Sequence, residues 1–492
     1  MTDGIPVEVF VLLIPLIVTF IVPFFKPQKA TAISFASFII PFFVLLYKLL
    51  RGASFEFPLL DFPGPIGEFY LFGDAISYAI GLTICLISAM VAVYSLSYMK
   101  HRFEEMELNS ETEFKKFFLI YNLYATSMLW LVFSGNLILL YIFLEVSLIT
   151  SFLLIYMYGY GNRQWVAILY FIWTNIAGVL ALVGFLMIAY DNSTLALKSI
   201  TSIGFTAWLL IFLGMIVKLP GLGPHIWLPW AHAEAPTPVS ALLSPLTVGL
   251  AGYILLRVYL VDQSFINTYR IPILIYAIIS SLYAGFSVFK QNDFKRLLAY
   301  STVSQMGYVL IALCLGPFGL IGVVIQYISH AFGKSILFMS AGSLIAVYHG
   351  LRDIGKMGGL HEYVPNISNS ALMGFMTLGG VLTVGMFGEF FILYGIVDTF
   401  GNKLGMDLID YLWLIIAVIV VFIISGLYSF YTLRRVFYRT PKEFETPKVS
   451  KLLYVPMYII GLIAIVFIFP PLATGLVQNL IQNITSIIGG LT

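Results

Sequence analysis

The sequence predicts an all-α membrane protein with about fourteen transmembrane helices. Of its 492 residues, 60% are hydrophobic and only 10% are charged, and a water-soluble chain could not bury that much apolar surface. Apolar runs of about 20 residues, the length needed to cross a bilayer as a helix, recur along the chain. They begin near residues 5, 30, 73, 115, 136, 163, 201, 237, 270, 293, 317, 366, 409 and 451.

The placement of basic residues predicts the orientation of these spans. If the amino terminus is outside, the cytoplasmic connections hold eighteen Lys and Arg residues and the opposite connections hold six. Such an excess is typical of the cytoplasmic side. We therefore expect a multi-pass protein of the cell membrane with both termini outside. Of the 26 Lys and Arg residues, Lys218 and Lys334 remain, because neither falls in a connection.

Three further ionisable residues fall inside apolar runs. They are Glu145 in "YIFLEVSLIT", His330 in "YISHAFGKSILF" and Glu389 in "GMFGEFFILYG". Ionisable groups inside a membrane are costly, and they usually mark ion pathways or proton relays. The sequence therefore predicts a relay of titratable groups.

Pairing of these groups suggests how a relay could work. If Glu145 pairs with Lys218, moving or neutralising the carboxylate would release the lysine proton to the next site. The alternative is a static ion pair that fixes helix packing. His330 and Lys334 are four residues apart and share one face of a helix, so they could pass a proton along it. The alternative for His330 is a buried residue that only makes hydrogen bonds.

Two spans contain helix breakers beside a buried charge. Prolines follow Lys218 in the seventh span, at positions 220, 224, 229, 236, 238 and 245, and proline interrupts a helix. The twelfth span contains "GGVLTVGMFGEF", which is rich in glycine and carries Glu389. Paired broken helices indicate an inverted-repeat transporter. The predicted organisation is residues 1–112 for spans one to three, 113–262 and 263–440 for two five-helix repeats, and 441–492 for span fourteen.

Four motifs resemble those of a known family. They are "LPGLGPHIWLPWAHAEAPTPVSALL", "DFKRLLAYSTVSQMGY", "HAFGKSILFMSAG" and "MFGEFFILYG". The resemblance, over about residues 70 to 440, is to the antiporter-like subunits shared by respiratory complex I, Mrp cation/proton antiporters and membrane-bound hydrogenase and sulfane reductase complexes. It implies fourteen helices in two inverted repeats, with broken helices 7 and 12 and charged residues at mid-membrane depth.

The resemblance also implies roles for individual residues. The positions that match charged or polar relay residues of the family are Glu145, Lys218, His330, Lys334 and Glu389. His225 matches a histidine that follows the break and could carry protons or cap the broken helix. We expect His232 and Glu234 to shape a loop near the membrane surface.

The sequence departs from the family pattern at the eighth helix, where the family's lysine falls on Gly249 or Leu250. Water with Thr247 and neighbouring hydroxyl groups could bridge this gap, or the relay is cut there. Gln326 stands where the family has a histidine, and it can form hydrogen bonds but cannot titrate. Val381 and Leu382 replace tandem prolines before Glu389.

The sequence and the resemblance together predict an ion-translocating subunit of a multisubunit complex, moving H⁺ or exchanging H⁺ for Na⁺. The two cysteines, Cys85 and Cys314, are too few to hold an iron–sulfur cluster, so we expect no cofactor, no metal and no redox chemistry in this chain. The expected partners are other membrane subunits, including further antiporter-like ones, and peripheral redox subunits that hold iron–sulfur and metal centres. No nucleic acid is expected. The alternatives are a degenerate paralogue that acts as a structural spacer or docking subunit, and a stand-alone metabolite carrier.

Overall fold

The computed structural model describes residues 5–440, 443–467 and 470–489. Each predicted span begins within five residues of the first residue of a helix. Within the described ranges, ten helices are long and apolar enough to cross a membrane, and shorter or less apolar helices account for the others, which is consistent with about fourteen spans. The predicted boundary at residue 441 and the two chain ends lie outside the described residues.

The helices of the first half are α1 (Val7–Ile21), α2 (Pro27–Leu50), α3 (Ala75–Glu105), α4 (Ser110–Val132), α5 (Leu137–Tyr158), α6 (Arg163–Asn192), α7 (Phe205–Lys218), α8 (Trp227–Glu234), α9 (Thr237–Leu242) and α10 (Val248–Val261). A π-helical turn, Leu243–Thr247, joins α9 to α10 and makes one continuous span.

The helices of the second half are α11 (Ser264–Thr268), α12 (Arg270–Phe289), α13 (Phe294–Leu313), α14 (Gly316–Val347), α15 (Leu360–Tyr363), α16 (Pro365–Leu378), α17 (Val384–Ile396), α18 (Leu408–Leu433), α19 (Val455–Val466) and α20 (Pro470–Gly489). Helix α20 packs beside α2, where Asn479 donates a hydrogen bond to the Leu49 carbonyl at 2.6 Å.

Helices α3 and α14 form the centre of the bundle. Nearly all of the apolar stretch of α3 and all of that of α14 are buried, and the Tyr94 hydroxyl donates to the Met339 carbonyl between them. Peripheral helices instead have one exposed apolar face. On α6 that face consists of Ile168, Ile172, Ile176, Val179, Val183 and Leu186. This distribution is that of a multi-pass membrane protein, whose outer surface meets lipid rather than water.

The order of helix contacts supports the predicted repeats. In the first set α4 packs on α5, α5 on α6 and α6 on α7; in the second set α12 packs on α13, α13 on α14, and α14 on both α16 and α17. Five crossings in each set, as the sequence predicts, would start the second set from the opposite side of the membrane and make the two sets inverted relative to each other.

A β-hairpin between α2 and α3 was not predicted. Strand β1 (Phe55–Phe62) pairs antiparallel with β2 (Gly67–Gly73), and the hairpin lies against the start of α5 through the Gly135 N–H bond to the Tyr70 carbonyl. The residues of β1 are alternately half-buried and exposed, the period of a strand at a surface. Such a short segment contains no long apolar run, so the hydropathy pattern does not predict it.

A buried ion pair lies beside this hairpin. The carboxylate of Asp74, which caps α3 by accepting from the Ser77 N–H, also accepts two bonds from the Arg257 guanidinium of α10, at 2.6 and 2.7 Å. The guanidinium further contacts the faces of the Phe72 and Tyr253 rings. This bidentate geometry is the strong form of an ion pair, and it joins the third span to the eighth.

Both predicted helix breaks are present. Helix α7 ends at Lys218, and an irregular segment with the Pro224–Ile226 turn leads into α8. Pro220 and Pro224 lie in this break. The prediction that Pro229 and Pro245 also interrupt the span is wrong, because Pro229 lies inside α8 and Pro245 lies in the π-helical turn.

The second break separates α16 from α17. Its residues include Gly380 and Leu382, both at positive φ, which for leucine is a strained backbone. The break therefore forms here without the tandem prolines of the family.

Candidate functional site

Lys218 and Glu145 lie together at the end of the broken helix α7. Lys218 is only 6% exposed, and its Nζ atom is 3.8 Å from Oε1 of Glu145. The carboxylate lies against Gly178 of α6, where a Cβ atom would come within 2.2 Å of Oε1. Since charge-assisted hydrogen bonds are about 2.8 Å long, this ion pair leaves hydrogen-bonding capacity free on both groups. The predicted proximity is present, in a form that can be rearranged.

His225 lies in the break that follows Lys218. Its Nδ1 atom accepts a hydrogen bond from the Gly223 N–H at 3.2 Å, and its ring packs against Tyr283 and Tyr300. This is the contact that the capping interpretation predicts. The histidine also borders a cavity of about 480 Å³ that extends to Arg296.

His330 and Lys334 share one face of α14, and both are buried. The Lys334 ammonium donates to the Leu298 carbonyl at 2.8 Å and to the Ser301 hydroxyl. The His330 ring lies beside the Ser244 backbone, yet neither ring nitrogen makes a hydrogen bond of ordinary geometry to the described residues. A buried imidazole with free nitrogens is suited to exchanging protons with water or with a neighbouring group.

Two buried ionisable residues near this pair were missed. Lys295, which the charge count placed in a connection, lies in the first turn of α13, is fully buried and donates to the Ala235 carbonyl at the end of α8. His232 is also fully buried, packed on Phe338 and within electrostatic reach of both Lys295 and Lys334.

His232 therefore lies in helix α8 and packs inward, so the expectation that it shapes a loop is wrong. Both residues sit at helix ends near the basic side, where counting charges cannot separate a loop residue from one that packs inward. The signal for Lys295 was Asp293, whose side chain accepts from the Arg296 N–H and so starts α13 before the lysine. Glu234, at the end of α8, is partly exposed as expected.

Gln326 connects α14 to the second break through amide groups. Its Nε2 atom donates to the Gln305 side-chain oxygen, and Gln305 donates in turn to the Ser425 hydroxyl at 2.7 Å and to the Tyr428 hydroxyl at 3.3 Å. The Gln326 side-chain oxygen also lies close to Gly388 in α17. Polar contacts thus extend from Gln326, one turn before His330, to Gly388, which precedes Glu389.

Glu389 lies beside the second break. Its carboxylate is packed against Gly380, where a Cβ atom would come within 2.5 Å of Oε2. The group is partly exposed and makes no ion pair with the residues described here. Each carboxylate of the predicted relay is thus packed against a glycine, Glu145 against Gly178 of α6 and Glu389 against Gly380 of the second break.

The eighth span has a tyrosine ring where the family's lysine would lie. A Cβ atom on Gly249 would be 2.6 Å from Cδ2 and Cε2 of Tyr327, which projects from α14, and Leu250 is fully buried. Two residues earlier, the Thr247 hydroxyl is bonded to the Tyr124 hydroxyl of α4. The contacts described around Gly249 are thus made by a tyrosine ring and hydroxyl groups rather than by a basic side chain.

The chain resembles proteins from two kinds of membrane complex. It is 29% identical to the Na(+)/H(+) antiporter subunit A1 of Staphylococcus haemolyticus over 98% of this chain and 63% of that protein. It is 32% identical to NADH-quinone oxidoreductase subunit M of Rickettsia bellii over 56% of this chain and 59% of that protein. The chain thus spans about three fifths of the length of these relatives.

Two solved structures have the same fold. A chain of respiratory complex I from Thermus thermophilus superimposes with a TM-score of 0.83 over 98% of this chain and all of that one, at 23% identity. A chain of the Mrp complex from a Dietzia species gives 0.85 over 99% of this chain and all of that one, at 16% identity.

The family match covers the residues that carry the site. Residues 134–406 match the family described as "NADH:quinone oxidoreductase/Mrp antiporter, TM". This range runs from before Glu145 to beyond Glu389 and makes up more than half of the chain. The chain belongs to the NADH:quinone oxidoreductase/Mrp antiporter transmembrane family.

Proposed function

We propose that this chain moves protons across the membrane, alone or in exchange for Na⁺, as one subunit of a multisubunit complex. The observation that carries the proposal is the Lys218–Glu145 pair at 3.8 Å, buried at the end of a broken helix. A static pair would form a short, direct hydrogen bond, whereas here Oε1 of Glu145 has no hydrogen-bond partner among the described residues and can take another one.

The arrangement supports a relay with Lys218 and Glu145 as its switch. When Glu145 is neutralised or moves, Lys218 loses its attraction and passes its proton onward. The next titratable groups are His330 and Lys334 on α14. From there the amides of Gln326 and Gln305 order water toward Glu389, which exchanges protons at the second break.

Energy for transport would come from other subunits. The relatives named above are called subunits, one of a sodium/proton antiporter and one of a quinone oxidoreductase. We propose that the partners are further membrane subunits, some of them antiporter-like, and peripheral redox subunits that hold iron–sulfur and metal centres. This chain would supply the ion path and no redox chemistry.

We also propose a cell-membrane location with both termini outside. The concentration of basic residues on the side where α3 ends and α4 begins supports this orientation. Residues 113–262 and 263–440 would be the two functional halves. A cysteine introduced at Lys198, on the opposite side, should react with an impermeant maleimide in intact cells, since Cys85 and Cys314 are buried. Labelling only after lysis would show that the chain has the opposite orientation.

The competing proposal is a spacer subunit without transport, and the glycine at position 249 favours it. The two proposals differ in the effect of Glu145→Gln and Glu389→Gln on proton pumping by the assembled complex in sealed vesicles. Translocation requires a loss of pumping at normal assembly. Unchanged pumping in both variants supports the spacer. Glu111→Gln, at an exposed residue at the start of α4, is the matched control.

A further inference from the structure

Helix α10, which carries Gly249, packs on both α7, which ends at Lys218, and α14, which carries His330 and Lys334. Tyr327 fills the space beside this glycine, so a basic side chain could not enter without displacing the ring. Tyr327 is 3% exposed and its hydroxyl is near the Leu246 carbonyl, 3.5 Å away, which keeps the ring in place. A proton that crosses this region therefore needs carriers other than a lysine.

Buried hydroxyl pairs begin next to Glu145. The Ser151 and Tyr170 hydroxyls, on α5 and α6, are 2.8 Å apart, and either oxygen can be the donor. Tyr170 interacts electrostatically with both Glu145 and Tyr124. The pair is therefore a candidate for the first step away from the carboxylate.

The second pair is formed by Tyr124 and Thr247. Their hydroxyls are directly bonded, again with either oxygen able to donate. Thr247 is partly accessible, although its neighbours Leu246 and Val248 are buried. The π-helical turn that ends at Thr247 sets the direction of its side chain.

The third pair reaches the second charged site. Ser244 belongs to the same π-helical turn as Thr247, and its hydroxyl is 2.7 Å from that of Thr302 on α13. Ser244 lies beside His330, and the next residue to Thr302, Ser301, is bonded to Lys334. The third pair therefore lies beside residues that contact His330 and Lys334.

We propose that these three hydroxyl pairs conduct protons between the Glu145–Lys218 pair and the His330–Lys334 pair, in place of a basic residue on the eighth span. We call them the hydroxyl ladder: Ser151–Tyr170, Tyr124–Thr247 and Ser244–Thr302. The inference rests on the proposed function, because it has a role only if protons move along this path.

Each transfer along the ladder is a balanced proton exchange. A hydroxyl oxygen accepts a proton on a lone pair, forming one O–H bond, and releases its own proton to the next oxygen, breaking another. Water completes the steps between pairs. The net change is one proton lost by the Lys218 ammonium and one gained by the His330 imidazole, with no oxidation or reduction.

The ladder differs from a lysine in one respect that can be measured. A lysine can hold the proton as a stable cation. A neutral hydroxyl group passes the proton on and must then rotate to its starting orientation before the next transfer. Removal of a hydroxyl should therefore slow proton transfer itself. Such a step is slower in D₂O, so the solvent isotope effect on pumping should rise when a pair is broken.

The test uses Thr247→Val and Tyr124→Phe in the assembled complex, with pumping measured in sealed vesicles in H₂O and D₂O. We expect a loss of at least tenfold in each variant, a larger isotope effect, and recovery to within about twofold of wild type in Thr247→Ser. The controls are Tyr121→Phe and Thr83→Val, which lose buried hydroxyls bonded to the Ser88 and Ala79 carbonyls and should pump normally.

Two results would overturn the ladder. Normal pumping in Thr247→Val and Tyr124→Phe, with pumping abolished in Glu145→Gln, refutes the ladder and leaves the proposed function standing. Equal losses in Thr247→Ser and Thr247→Val, with an unchanged isotope effect, show a structural role only. If Glu145→Gln also pumps normally, the proposed function itself fails. If the Thr247→Val complex does not assemble, the pumping rate of Tyr124→Phe, which keeps the aromatic ring, decides whether the ladder is needed.

Discussion

Adding one methyl group at Gly249 tests the packing that occupies the place of the family's lysine. In Gly249→Ala the new Cβ atom would lie 2.6 Å from two carbons of the Tyr327 ring, about 1 Å inside normal contact. The ring belongs to the most buried helix, α14, so it cannot swing into solvent. Overpacking of this kind costs about 1–3 kcal/mol. We expect the variant to be destabilised by that amount despite the better helix propensity of alanine.

The measurement is thermal unfolding of the purified complex in detergent, with Gly426→Ala as the control. Gly426 lies in α18, and a Cβ atom there meets nothing within 4 Å, so only the propensity gain remains. The double variant Gly249→Ala with Tyr327→Leu should recover part of the loss, because leucine removes the ring carbons that clash. If Gly249→Ala is as stable as wild type, Tyr327 is not fixed and the space beside Gly249 is open.

Three other substitutions test separate contacts. Glu145→Gln removes an attraction of about 4 kcal/mol to Lys218, taken at 3.8 Å with an effective dielectric constant of about 20. If a third of this attraction acts in the rate-limiting step, pumping in vesicles falls about tenfold. An unchanged pumping rate would contradict the role of the pair as a switch. Arg257→Ala leaves the Asp74 carboxylate buried without its partner, so we expect a loss of about 3–5 kcal/mol in unfolding free energy, and a loss below 1 kcal/mol would mean that water replaces the guanidinium. Gln326→Leu breaks the amide link to Gln305 and should reduce pumping while assembly on native gels stays normal; equal pumping would show that protons reach Glu389 by another route.

Much of the fold followed from the spacing of apolar runs, because each span must be long enough to cross a bilayer. The hairpin at 55–73 was missed because its strands are short and β1 alternates in exposure, so neither strand forms a long apolar run. Proline positions predicted the first break, but they overstated its extent. A proline near the start of a helix removes no needed hydrogen bond, and the π-helical turn accommodates Pro245.

The site was predictable where a charge stood alone within an apolar run. Lys218 with Glu145, and Lys334 with His330, are of this kind. Lys295 and His232 could not be recognised in this way, because both lie near a helix end, and only packing between α8, α13 and α14 buries them. The hydroxyl pairs were harder still to predict. Serine, threonine and tyrosine are common in any span. Only the hydrogen-bond partner on a neighbouring helix distinguishes these hydroxyl groups from the others.

The Asp74–Arg257 pair has a consequence for how the chain is made. The two residues are 183 positions apart, and at 5–20 residues per second a ribosome needs roughly 10–40 s to produce the second after the first. During that interval the Asp74 carboxylate lacks the guanidinium that pairs with it in the folded chain. The buried contact between the start of α3 and α10 can therefore form only after the eighth span has been made.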